Sequence, residues 1–458
     1  MENKETKKPI TYRVWFKWLV VVARLVVGAV FIFSGFVKGV DPMGSVYKFD
    51  DYFVAFGFEF LSPFSLFFAV VLAAFEFILG INLFLGSYRR SAPGLALLLM
   101  LFMTPLTLYL AIKNPVSDCG CFGDALLLTN WQTFYKNVVL LLLIVFLCLY
   151  NGRARGVYNR PVQWITVLYS LLFILTVIWV GYNFQPILDF RPYKSGLDLR
   201  QALENESEEE EMGEFIFIYE KDGLRQEFSL DDCPVDDTAW VFVDRIEKEV
   251  PVNRTETSVA DFMIISPEGE VTGDILADEN YTFLLMSPDI AVADNSEIDR
   301  INEIYDYALA NGYGFYCVTP SSQEEIEEWQ DDTGAEYPFY FMDKTAIKTV
   351  MRSNPGMMLL KDGRIYWKRS ALALPDESKL TVPLEELPFG QLREYNARRR
   401  IVFVSLVYLL PMLLLLLTEK TVMAIISRWR ARQTKRRLQR QARQETQTPG
   451  NGGNETNG

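Results

Sequence analysis

Apolar residues in this chain fall into runs of two kinds. Six are long and nearly uninterrupted: Trp18–Phe36, Phe64–Leu85, Leu95–Ile112, Phe134–Tyr150, Val162–Gly181 and Ile401–Leu417. A hydrocarbon layer of about 30 Å is crossed by about 20 helical residues, so each run predicts a membrane-spanning helix. The first lacks a small-residue cleavage site after its core and reads as a retained anchor rather than a signal peptide.

Between the fifth and sixth runs the pattern changes to short strands and amphipathic helices. "ADFMIISPEGEVTG" predicts a hairpin turning at Pro267–Gly269, and "YTFLLMSP" a buried strand. Asp294 and Glu297 have capping-box spacing ahead of a helix with Ile298, Ile301, Tyr305, Ala308 and Leu309 on one face, ended by Asn311-Gly312. A strand at "GFYCVTP", a helix over 322–332, a strand at "YPFYFM" and a short helix over 344–352 follow. "NPGMMLLKDGRIYWKR" closes the series as a hairpin turning at Asp362-Gly363. The preceding "ENESEEEEM" (204–212) reads as a solvated, flexible linker.

Charge orients the spans. Lys4, Lys7, Lys8, Arg13 and Lys17, then Arg89 and Arg90, then Arg153, Arg155 and Arg160, and finally the basic tail from Arg428 to Arg443 share one side if there are six spans. Arg398–Arg400 oppose this but are outnumbered. Positive loops stay inside, so both termini are expected in the cytoplasm and residues 184–400 outside it. The net charge of −13 averages over unlike parts and identifies no partner. Arg24 and Glu76 fall within spans, where a charge is costly. They read either as an ion pair between neighbouring helices or as a proton or quinone-headgroup site.

The chain has no histidine, which excludes Ser-His-Asp catalysis, His-ligated zinc or haem and imidazole acid–base chemistry. Five cysteines occur in 458 residues, and two of them stand one glycine apart in "KNPVSDCGCFGDALLLTNW". A disulfide gains stability from the loop it closes, and Cys119–Cys121 would close almost none. A short, strained ring tends to be more oxidising, so a poor staple makes a redox couple. Lys113 is the nearest cation in sequence and a candidate for lowering a thiol pKa. Two inert thiols, or a soft-metal clip for Cu(I) or Zn short of further ligands, are the competing readings; no metal is assigned. Cys148 reads as a packed apolar residue and Cys317 as a buried strand residue. Cys233, on a polar loop, has no spacing that pairs it with Cys317.

"RLVVGAVFIFSGFVKGVDP" followed by three more spans and "CGCFGD" resembles the DoxX and MauE group of redox-associated membrane proteins, over about residues 12–150. The resemblance implies a four-helix bundle and a role in envelope thiol–disulfide chemistry, often beside a thioredoxin-like partner. The order of elements over 258–370 resembles the thioredoxin-like fold, with Asn354-Pro355 where that fold keeps a cis-proline. The place of its Cys-x-x-Cys reads "MSPDIAVADN" here, so Met286 and Asp289 replace the dithiol as ordinary loop residues and the domain is expected to be redox-silent.

The expected architecture is a mainly α-helical membrane protein with a soluble α/β domain. It comprises a DoxX/MauE-like four-helix bundle (1–155), a fifth span (156–183), an acidic linker (184–212) and a thioredoxin-like domain with an N-terminal β extension (213–395). A sixth span (396–427) and a disordered basic tail (428–458) complete it. The expected place is a bacterial inner membrane, with the lipid bilayer and an envelope thiol–disulfide partner or client as contacts, quinone as the cofactor to consider, and no nucleic acid. The favoured function is thiol–disulfide exchange through Cys119 and Cys121, with a non-catalytic scaffold as the alternative; a transporter would want an internal repeat that the sequence lacks. Sequons at Asn205, Asn253, Asn280 and Asn454 carry no weight without a suitable host.

Overall fold

The computed structural model describes residues 14–116, 119–211, 215–221, 224–228, 240–247, 259 and 261–447. Among them, six helices are long and apolar enough to cross a membrane, one for each predicted run. They are α1 (Val14–Val40), α3 (Ser65–Leu85), α4 (Ser91–Lys113), α5 (Asn130–Tyr150), α6 (Gln163–Asn183) and α12 (Ala397–Gln447).

Helix α2 (Pro42–Ala55) has no counterpart among the predicted elements. Asp41 caps it by accepting a hydrogen bond from Gly44 N at 3.0 Å, and Pro42 occupies its first turn. Small residues let α1 and α3 meet backbone to backbone. A Cβ on Gly35 would lie 2.4 Å from Phe77 N, and one on Gly80 would lie 2.5 Å from Ile32 N. This is how helices pack where lipid supplies no hydrophobic drive between them. Helix α12 lies against α6: Tyr169 donates to the Val407 carbonyl at 2.6 Å, and the Ser170 and Tyr408 hydroxyls are 2.7 Å apart.

The soluble part holds two sheets. The smaller has the order β2-β1-β3, from β1 (Phe215–Lys221), β2 (Leu224–Phe228) and β3 (Val241–Glu247), all antiparallel. The larger runs β10-β9-β6-β7-β8-β4-β5. Its centre is β6 (Tyr281–Met286), parallel to β7 (Gly314–Thr319) and antiparallel to β9 (Gly356–Lys361); β7 is parallel to β8 (Phe339–Phe341). The hairpin β4 (Ile265–Ser266) and β5 (Gly269–Glu270) forms one edge, and β10 (Arg364–Ser370) the other.

Every residue of β6 is buried, because both faces are covered. Tyr281, Phe283 and Leu285 pack with Ile301, Ile304 and Ala308 of α9 (Ile298–Asn311) and Trp329 of α10 (Gln323–Thr333). Leu284 and Met286 pack on the other face with Leu199 of α7 (Leu199–Glu211), Ile275 of α8 (Thr272–Ala277) and Ile347 of α11 (Lys344–Val350).

Several expectations are corrected. The stretch expected to be a loose acidic linker is anchored: Asp189 pairs with Arg191 at 2.9 Å and with Lys368 at 3.0 Å, and Leu199–Glu211 is helical. Burial alone would raise the Asp189 carboxyl, but those two cations hold it well below the usual carboxylate range. Asp294 and Glu297 form no capping box; α9 begins without a side-chain cap, and Asp294 accepts from Ser296 N instead. The basic tail is not disordered as far as Gln447, because α12 continues through it as a single helix. At 1.5 Å per residue its 51 residues span about 77 Å, far beyond the bilayer core.

Candidate functional site

The cysteine loop is built from its ends inward. Asn114 adopts a left-handed conformation (φ 46°) that stops α4, and Thr129 with Gln132 forms a capping box that starts α5. Asn130 joins the two ends, donating to Asn114 Oδ1 at 2.8 Å and to the Val116 carbonyl at 2.9 Å. Between them Gly120 (φ 62°) and Gly123 (φ 51°) reverse the chain. The turn at Gly120 leaves the Cys119 and Cys121 sulfurs 3.0 Å apart, against about 2.05 Å in a disulfide. Both are free thiols, Cys119 buried and Cys121 partly exposed. A side chain at Gly120 would be strained by φ and would meet Lys48 Cγ at 3.1 Å.

The loop is clamped from below. Lys38 Nζ, on α1, donates to the Cys121 carbonyl at 2.6 Å, to Ser34 Oγ at 2.7 Å and to Glu76 Oε2 at 2.8 Å. All three side chains are buried. Tyr52, on α2, donates to the Cys119 carbonyl at 2.7 Å. Phe122 lies beneath the Lys136 ammonium, 4.1 Å from Nζ to the ring centroid, and edge-on to Phe33.

These neighbours make the two thiols unlike. The hydrogen bond from Cys119, with the ammonium groups of Lys136 and Lys38, outweighs burial and the Glu76 carboxylate and brings Cys121 down to about 6. The same contact with Cys121, together with burial, pushes the Cys119 thiol up. Cys121 is therefore the better nucleophile.

Two sequence expectations fail here. Lys113 is exposed at the last turn of α4, and the cations acting on the pair are Lys136 and Lys38, brought in by α5 and α1. Arg24 and Glu76 do not pair. Arg24 donates to the Arg155 carbonyl at 3.2 Å, next to the loop that follows α3, while Glu76 belongs to the cysteine end of the bundle. The Lys38–Glu76 pair has a sequence signal, a lysine one helical turn after Ser34 on the same face.

The soluble domain reaches this loop through Arg352. Its guanidinium donates to Asp41 Oδ2 at 2.9 Å and to Asp124 Oδ2 at 2.8 Å, so one buried arginine holds the cap of α2 and the last residue of "CGCFGD". Lys348 lies 4.3 Å from the Tyr47 ring centroid, and Gln185 donates to Ser353 Oγ at 3.1 Å.

Two residues beyond Arg352, the Asn354–Pro355 bond is cis. Asn354 links this turn to the loop after β6, accepting from Ser287 Oγ at 2.6 Å and donating to the Asp289 carbonyl at 2.7 Å. Met286 is buried and Asp289 pairs with Lys344. Cys317 is a buried free thiol on β7, and Cys233 lies outside the described residues. Cys148 is exposed on α5, not packed as expected. Among the described residues, no three Cys, Asp or Glu side chains converge to hold a metal ion.

Residues 16–150 match the family model described as "Methylamine utilisation protein MauE". This stretch is a MauE-like membrane domain. It comprises α1 to α5 and contains the whole cysteine loop and its Lys38–Glu76 clamp. Residues 213–250 match a family model described as "Domain of unknown function (DUF8463)", which coincides with the three-stranded sheet. No curated protein and no solved structure matches the chain.

The inequality of the thiols predicts a pH profile. Alkylation of reduced Cys121 by iodoacetamide, followed by mass spectrometry, should reach half its maximal rate near pH 6, rising above and falling below as the thiolate forms and is lost. An ordinary thiol would do so near pH ~8.5. Lys136→Met removes a facing cation and should move the midpoint upward. A wild-type midpoint at the ordinary value would contradict the assignment.

Proposed function

We propose that the protein carries out thiol–disulfide exchange through Cys119 and Cys121. The observation that carries this reading is the contact of two free thiols on a loop clamped by Lys38 and Tyr52, in the MauE-like domain. The Cys121 thiolate attacks one sulfur of a disulfide, forming a mixed disulfide and releasing a thiolate. Cys119, 3.0 Å away, gives up its proton and attacks the Cys121 sulfur, forming the Cys119–Cys121 bond and releasing the second thiolate. The two protons leaving the pair end on the released thiols. Run backward, the same steps oxidise a client.

The larger sheet supports a thioredoxin-like reading of the soluble domain: a central strand with parallel and antiparallel neighbours, and a cis Asn354–Pro355 bond facing the loop where that fold keeps its dithiol. Ser287 and Asn354 close that loop against the cis turn, so the domain lends shape rather than redox chemistry. Its contact with Asp124 sets the domain beside the cysteine loop, which supports a role in presenting an envelope client there.

The loop charges favour an orientation with both termini in the cytoplasm of a bacterium and this face outside its inner membrane, in the compartment where disulfides persist. An impermeant thiol reagent applied to intact cells should label a cysteine placed at Ser195 and spare one placed at Ser91; the reverse pattern would overturn this orientation.

Exchange itself is tested with Ellman's disulfide reagent and purified protein in which Cys148, Cys233 and Cys317 are replaced by alanine, the background that serves as wild type for the pair. The reduced wild type should release two thiol equivalents. Cys119→Ser retains a hydrogen-bond donor to Cys121 and should hold a stable mixed disulfide, forming it at least tenfold faster than Cys121→Ser. If the wild type releases none and neither variant reacts, the pair is structural and the chain is a scaffold.

A further inference from the structure

A cavity of about 550 Å³ opens beside the cysteine pair, within the range of small-molecule sites. Its walls are aromatic: Phe49 and Phe53 of α2, Phe68 and Phe75 of α3, and Phe102 of α4. Polar groups gather at one place in it, where Cys119 and Cys121 meet Lys38 and Lys48. From there the lining on α3 and α4 runs deeper into the span, and it is apolar. Val71 and Phe102 are 47% and 67% exposed on the outer surface of the bundle, so the groove opens sideways, toward lipid.

Resting on the exchange reading, we infer that this groove binds a membrane quinone, which accepts the electrons of the Cys119–Cys121 dithiol. Three features select that class. A dithiol becoming a disulfide gives up two electrons together, and a quinone accepts two. The walls suit a flat ring with an apolar tail arriving from the bilayer, since ring faces and edges pack well on phenylalanine. The two ammonium groups make this end of the groove positive, which favours oxygen atoms that gain negative charge as electrons arrive.

The step balances. Cys121 enters as the thiolate, its proton already in the surrounding water; the Cys119 S–H bond breaks and one S–S bond forms. The two electrons and two protons, one from Cys119 and one from water, pass to the carbonyl oxygens of the quinone, which becomes a quinol and leaves by the lateral opening. The disulfide left behind then oxidises a client dithiol, which sets the physiological direction of exchange.

The test uses the full-length chain in phosphatidylcholine nanodiscs, reduced and desalted, with decyl-ubiquinone as probe. Quinone loss is followed by absorbance, and the thiol state by mass spectrometry of the peptide carrying both cysteines. One quinone should be consumed per disulfide formed, with a rate that saturates in quinone. Val71→Trp places a large ring at the mouth of the groove, on a surface that tolerates it, and should raise the half-saturating concentration at least tenfold. A pair that exchanges with Ellman's reagent yet is not oxidised by quinone would sink this inference and leave the exchange reading standing. So would oxidation linear in quinone and unchanged by Val71→Trp, because that is random collision. Inertness toward both reagents would remove both readings.

Discussion

The ammonium of Lys38 is the point on which the site depends. It is buried in the bundle and bonded to three acceptors: Ser34 one turn back on α1, Glu76 on α3 and the backbone carbonyl of Cys121. Taking two such charges out of water costs several kcal/mol each, which pairing and further hydrogen bonds must offset. Breaking a buried pair by removing one partner typically costs about 3–5 kcal/mol, since the other charge is stranded. A membrane helix that keeps this arrangement therefore holds the cysteine loop in one place. It also sets a positive charge near the Cys121 thiol, which lowers its pKa.

A second cation extends that order outward. Arg352 is buried between Asp41 and Asp124, and its pKa rises despite burial because both carboxylates face it. Burial raises the Asp124 carboxyl, an effect that Arg352 opposes. Asp41 serves twice, capping α2 and receiving Arg352. Helix α2 in turn supplies Tyr52 to the Cys119 carbonyl and two phenylalanines to the groove. The soluble domain, helix α2 and the cysteine loop are thus fastened through neighbouring residues.

Much of this was legible in the sequence. The six spans declared themselves by length and hydropathy. Asp362 and Gly363 are both left-handed in the β9–β10 hairpin, as an Asp-Gly turn between strands requires, and the helix expected over 322–332 is α10, although its capping box, from Ser322 and Glu325, was not foreseen. What stayed hidden was partnership. Arg24 and Glu76 were the charges within the predicted spans, while Lys38 lies two residues past the end of its run, and helix packing gave it to Glu76. Helix α2 is too short and too polar for a span, and it becomes visible only as a wall of the groove. The glutamates of α7 masked a helix because composition reports solvation, whereas Leu199 docking in the sheet core reports packing. Lys136 could not be linked to Cys121 by spacing, since the turn at Gly120 and Gly123 decides which residue of α5 faces the loop.

The most direct test of the account is the thiol state of Cys119 and Cys121 in native membranes. Cells are quenched in acid, alkylated with a heavy maleimide, and compared before and after pulses of dithiothreitol and diamide. The account predicts that the two sites gain and lose label together, so that the peptide moves between two labels and none. Two labels under every condition would contradict it.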